Sequence, residues 1–143
     1  MPNSTYIISS EFPDMVIPLI ENAKKSIDVI VFDWRWYPQN PGSTVQLFNQ
    51  AMVRAARRGV DIRVIANNDQ IISTLKSQGI SAKRALTAKL VHCKMMVVDS
   101  EIVVLGSHNY TQNGFEQNLE VSVIIEDDEC VLRFQNYFNN LFK

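Results

Sequence analysis

Residues 90–125 constrain this chain more than any other stretch. They open with two apolar runs joined at Asp99-Ser100, the pattern of a strand, a tight turn and a second strand. Both histidines of the chain, His92 and His108, fall within these residues. Side chains two apart on a strand share a face, so His92 and Lys94 are expected side by side on the first strand. The second run ends in Gly106-Ser107-His108-Asn109. Gly106 permits a turn or a close approach, and Ser107 and Asn109 add a hydroxyl and an amide. A third run, 119–125, carries Glu120 near its start. An imidazole, an ammonium, a hydroxyl, an amide and a carboxylate are thus expected to converge beside one small sheet. That set suits a phosphodiester. Lys, Ser and Asn donors can hold the non-bridging oxygens, a neutral imidazole can attack phosphorus, and a carboxylate can hold the ring by its other nitrogen.

The spacing His92-x-Lys94-x4-Asp99-x6-Gly106-Ser107-x-Asn109 resembles the HKD motif of the phospholipase D superfamily, with no departure. Six such positions match by chance on the order of 10^-8 per starting point. Glu120 falls where that family has a downstream Glu. The motif occurs once, whereas the family's large phospholipases carry two copies. A single copy in a short chain is similar to the family's small bacterial endonuclease, which works as a homodimer. The resemblance implies an α/β sandwich and metal-independent hydrolysis without a cofactor. It implies a phosphohistidine on His92, a second His92 from a two-fold partner as acid, and Asp99 as a residue that holds structure. DNA or RNA is the expected substrate, cut without strong sequence preference because no added recognition module is visible. A phospholipase acting on lipid head groups is the alternative enzyme; no amphipathic or anchoring segment supports it. A silent domain that binds nucleic acid or protein is a further alternative, against which the intact set of polar residues argues.

The chain has 143 residues, which fits one domain spanning 1–143. A net charge of −1 argues against a general nucleic-acid coat but allows a local basic patch. Lys83, Arg84 and Lys89, leading to Lys94, are the candidates for that patch. Cys93 and Cys130 have no metal-site spacing and make no disulfide framework; Cys93 is expected in the core, on the strand face opposite His92. The N-terminus lacks a basic start followed by an apolar block, and no run reaches about 18 apolar residues. The expectation is a cytoplasmic protein without a membrane partner.

Strands alternate with helices and then give way to a run of strands and a closing helix. That order predicts a mixed, largely parallel β-sheet flanked by helices on both faces. Strands are expected at 6–8, 26–36, 60–65 and 80–86, and helices from Phe12, from Ser43 or Thr44 to Arg58, over 71–77 and from Asp127 to Phe142. Pro18 should kink the first helix or delay its start. Arg54, Arg57 and Arg58 read as a solvated helix end. Trp34 and Trp36 either wall a cleft beyond the strand's carboxyl end or pack beneath the next loop. His108 is expected at the rim of the site, and Glu116 is a weaker competitor of Glu120.

Overall fold

The structure, a computed structural model, describes residues 3–143. Its centre is a seven-stranded mixed sheet: β1 (Asn3–Ile8), β2 (Ser26–Ile30), β3 (Asp61–Ile65), β4 (Ser81–Lys83), β5 (Met95–Val98), β6 (Ile102–Gly106) and β7 (Val121–Glu126), in the spatial order β1-β7-β6-β5-β2-β3-β4. The parallel part is confined to β2-β3-β4. The other four pairings are antiparallel, so the sheet is mixed but not largely parallel. The physical reason is connection length. β5 and β6 are joined by a tight turn, which only antiparallel neighbours permit.

Helices α1 (Phe12–Glu21), α2 (Thr44–Arg57) and α3 (Asp69–Ser77) cover one face. Their buried stripes include Val16 and Ile20, Phe48 and Met52, and Ile71 and Leu75, and these pack on Val29, Val64 and Met96 of the sheet. The closing helix α4 (Asp128–Phe142) covers the other face, where Val131 and Phe138 meet Ile30, Ile65 and Val97. Side-chain caps start three of these helices. Ser43 accepts from the N–H of Gln46, Asn68 from Ile71, and Asp127 from Cys130. Among the described residues no helix is long and apolar enough to cross a membrane.

Several expected elements shift. Pro18 lies inside an unbroken α1. Both Pro18 and Asp14, whose carbonyl loses its helical donor, are exposed, so water can satisfy that oxygen. Arg54, Arg57 and Arg58 are exposed, as expected of a solvated helix end, but Arg54 and Arg58 also reach across to α1. Both pair with Glu21, and Arg58 donates to the carbonyls of Ile20 and Ala23, closing the C-terminus of α1. β2 stops at Ile30, and β4 is only three residues long.

Inside β2, Asp28 is buried yet fully partnered. Arg63 grips it with two hydrogen bonds of 2.8 and 3.0 Å, and Gln135 of α4 donates at 2.7 Å. Arg63 then stacks on Phe138 and Phe142, so this ion pair clamps α4 to the sheet.

Candidate active site

The site lies where β2 and β3 end and β5 begins. β5 starts at Met95, so His92 and Lys94 stand on an extended lead-in and not on the strand itself. Asn67, just after β3, ties that lead-in down by donating to the carbonyls of Val91 (2.9 Å) and Phe32 (3.2 Å). The two side chains meet as expected. Lys94 Nζ lies 3.0 Å from His92 Nδ1 and 3.3 Å from Nε2. Phe32 backs both: its ring centroid is 4.6 Å from that of His92 and 5.5 Å from the Lys94 ammonium. His92 is exposed, whereas Lys94 is half-buried. That burial pulls the Lys94 pKa below its ordinary value, and the nearby charge of Glu120 opposes the shift. Phe32 and Asn67 were not singled out from sequence. Their position beyond the carboxyl ends of parallel strands is the signal that could have found them.

At the far end of the hairpin, Asp99 and Ser100 both adopt positive φ, 55° and 53°. Asp99 Oδ1 and Oδ2 accept from the backbone N–H groups of Lys24, Lys25 and Ser26 at 2.7–3.1 Å. Burial favours the neutral acid, but these N–H donors outweigh it and hold the Asp99 carboxyl below its ordinary pKa. The carboxylate thus pins the hairpin to the junction of α1 and β2.

Gly106 sits where β6 meets β7 so closely that an added Cβ would collide with Ser122 and the carbonyl of Val121. Ser107 Oγ accepts from Val121 N (3.0 Å) and lies 3.2 Å from Val121 O. This hydroxyl is clasped by β7, and to donate to a substrate it would have to release Val121. Asn109 is differently placed. Its Oδ1 accepts from Asp33 N at 3.0 Å, which leaves Nδ2 as the donor end of the amide. Glu120 precedes β7, and its Oε2 accepts from Asn118 at 3.1 Å. Its expected hydrogen bond to the His92 ring is not formed within one chain.

The other candidates are engaged elsewhere. His108 is not a rim residue. It is 1% exposed, with Nδ1 2.6 Å from Ser122 Oγ, Nε2 2.8 Å from Ser9 O, and its ring stacked on Phe12. Trp34 is 1% exposed and donates to Asn49 at 2.7 Å, so its ring packs in the core. Lys83 rests its ammonium on the Phe142 ring and Arg84 pairs with Asp69, so neither extends a patch toward Lys94. Lys89 is exposed. Glu116 accepts from Thr44 Oγ1 at 2.9 Å. Cys93 is half-buried at the edge of the α4 side, 3.8 Å from the Tyr137 hydroxyl.

The chain has matches among known proteins in sequence and in fold. Residues 16–142 match the family described as "Cardiolipin synthase, PLD-like domain". The chain belongs to this PLD-like family. A mitochondrial cardiolipin hydrolase of Xenopus laevis is 29% identical over 140 residues, covering 94% of this chain and 62% of the relative. The PLD-like chain therefore spans about three-fifths of that relative's length. Two solved structures share its fold at 22% identity. NucT from Helicobacter pylori has a TM-score of 0.80, covering 99% of this chain and 96% of its own. Nuc from Salmonella typhimurium, a phospholipase D family member, has a TM-score of 0.81, covering 99% and 94%.

The buried His108 has a measurable consequence for the PLD-like fold. Burial pushes its pKa down, against the Ser9 carbonyl and the charge of Glu120, which favour the protonated ring. The unfolded chain therefore takes up a proton near pH 6.5 that the folded chain refuses. The stability contributed by the neutral ring is complete above that pH and is lost as pH falls below it. Urea midpoints are expected to drop between pH 7.5 and 5.5, and a His108→Gln chain should lose less over the same interval. An equal drop in both chains would show that other groups carry the acid sensitivity.

Proposed function

We propose that the chain is a metal-independent phosphodiesterase that cuts nucleic acid in a site shared by two copies. The observation that carries this reading is the pairing of one exposed imidazole with a half-buried ammonium, while the chain's other histidine is sealed in the core. A nitrogen of His92 attacks phosphorus and forms a P–N bond as the P–O bond to the leaving oxygen breaks. His92 of the partner subunit gives its proton to that oxygen. The same ring then takes a proton from water as the water attacks phosphorus, the P–N bond breaks, and His92 is free again. Lys94 and Asn109 Nδ2 hold the non-bridging oxygens, Ser107 joins them on releasing Val121, and the carboxylate of Glu120 supports the positive charge beside it. An ammonium and neutral donors handle the charge. Among the described residues no three His, Cys, Asp or Glu side chains gather as they would around a metal ion.

Exposed apolar side chains near site residues in sequence support a partner copy. Leu86 and Leu90, on the segment leading to His92, are 88% and 73% exposed, and Leu119, next to Glu120, is 95% exposed. Covering exposed apolar side chains is a common role of an interface.

The test uses wild-type subunits fully exchanged with an equal amount of His92→Ala subunits, assayed in EDTA on a DNA oligonucleotide. With random pairing, about a quarter of the dimers keep both imidazoles, and activity per total protein should fall to about that fraction. A value near half would mean that each chain completes its own site. Complete loss in EDTA, restored by magnesium, would sink the metal-independent mechanism.

A second reading, a lipid phosphodiesterase, is favoured by one feature. A cavity of about 800 Å³, lined largely by apolar groups of Met95, Leu105, Phe134 and Tyr137, reaches Lys94. A relative named for cardiolipin hydrolysis points the same way. Cleavage of cardiolipin vesicles and not of DNA or RNA would select it.

A further inference from the structure

Beyond Phe32 the chain runs through Asp33, Trp34, Arg35, Trp36 and Tyr37, which form one wall of a second cavity, of about 600 Å³. It adjoins the candidate site. Asp33 N–H holds Asn109 Oδ1 at 3.0 Å, and the preceding Phe32 backs His92. The wall is rigid. Trp34 is locked to Asn49, Tyr37 N donates to Gln46 Oε1 at 2.7 Å, and the Tyr37 hydroxyl accepts from Gln112 N at 3.1 Å. Trp36 is half-buried, packed against the core yet lining the cavity. The opposite lip carries amides and hydroxyls: Gln70 and Thr74 from α3, and Gln112 and Asn113 from the segment after Asn109.

Charge is nearly absent from this cavity. Its lining includes one acid and one base, Asp33 and Arg35, and these pair with each other at 2.7 Å. A second phosphate would find no unpaired cation there. An acyl chain would bury the rim amides without hydrogen-bond partners, which is unfavourable. A flat, uncharged ring with hydrogen-bonding edges satisfies both the aromatic wall and the amide lip.

We infer that this cavity is a subsite for the nucleobase flanking the scissile phosphate, with Trp36 as its stacking surface. The inference rests on the nuclease reading above and commits it to a substrate whose phosphate carries a nucleoside. An indole ring offers neither acid nor base near neutral pH, so the role of Trp36 is binding and not chemistry.

Calorimetric titration of the wild-type protein with a nucleoside 5′-monophosphate and with glycerol 3-phosphate tests it, since both ligands present a phosphate monoester. The nucleotide is expected to bind on the order of tenfold more tightly. Trp36→Ala should bring it down to the affinity of glycerol 3-phosphate, whose own binding stays unchanged. No preference for the nucleotide in the wild type, or a preference that survives Trp36→Ala, overturns the subsite. If Trp36→Ala does not fold, saturation transfer from wild-type protein to the base protons decides. Signals confined to the ribose overturn the proposal. The titration needs no turnover. Base preference without DNA or RNA cleavage would therefore sink the nuclease reading and leave the nucleobase site standing.

Discussion

His92→Ala is expected to lower phosphodiester cleavage about 10^4-fold or more, as loss of a nucleophile does when no other group replaces it. No other group can replace it here, because the second imidazole of the chain is buried against Phe12 and bonded to Ser9 and Ser122. The fold should survive. The His92 ring is exposed and leans on Phe32, so its removal opens no cavity in either core. Steady-state kinetics on a nitrophenyl diester and on DNA, beside a thermal melt, measure both halves of the statement. Turnover within tenfold of the wild type, in a preparation free of contaminating nuclease, would put the chemistry elsewhere.

Lys94→Ala should cost on the order of 10^2- to 10^3-fold, the usual effect of removing one preorganised donor from a transition state. The position makes the charge effective. Lys94 is half-buried against Phe32, where an ammonium is less screened than in water. The same burial lets it lose its proton at a lower pH than an ordinary lysine, whose pKa is 10.5. Activity should therefore begin to decline on the alkaline side before pH 10.5 is reached, as the charged form is lost. Lys94→Arg keeps its charge throughout and should lack that decline, although its larger planar head will not restore the full rate. An alkaline limb unchanged in Lys94→Arg would assign it to another group.

The motif was legible because chemistry restricts residue types at set spacings, and the hairpin at Asp99 was legible because two apolar runs had to meet there. The mixed α/β sandwich followed from element order. Contacts distant in sequence were not legible. Trp34 reads equally well as a cleft wall or a core residue until Asn49, fifteen positions away on α2, is seen to accept its N–H. Asp28 looks like an interruption of an apolar strand until Arg63 and Gln135 arrive from β3 and α4. Lys83 and Arg84 look like a basic approach to Lys94, but Phe142 and Asp69 take them. The largely antiparallel character of the sheet was only partly legible, for a related reason. The turn at Asp99-Ser100 makes β5 and β6 antiparallel, but no local pattern encodes the direction in which that hairpin lies beside β2.

The pairing of β1 with β7 has a bearing on where this domain can be cut. The family match begins at residue 16, but the segment before it is structurally committed. β1 pairs with β7 over six positions, Ser9 holds both Glu120 and His108, and Phe12 roofs the His108 ring. An expression fragment trimmed to the matched region would leave β7 as a raw edge, open to strand addition by another molecule. It would also uncover a histidine that the intact fold keeps dry, and would loosen the backbone just before β7, where Glu120 stands. For this chain, the boundary of the recognisable sequence and the boundary of the cooperative unit do not coincide.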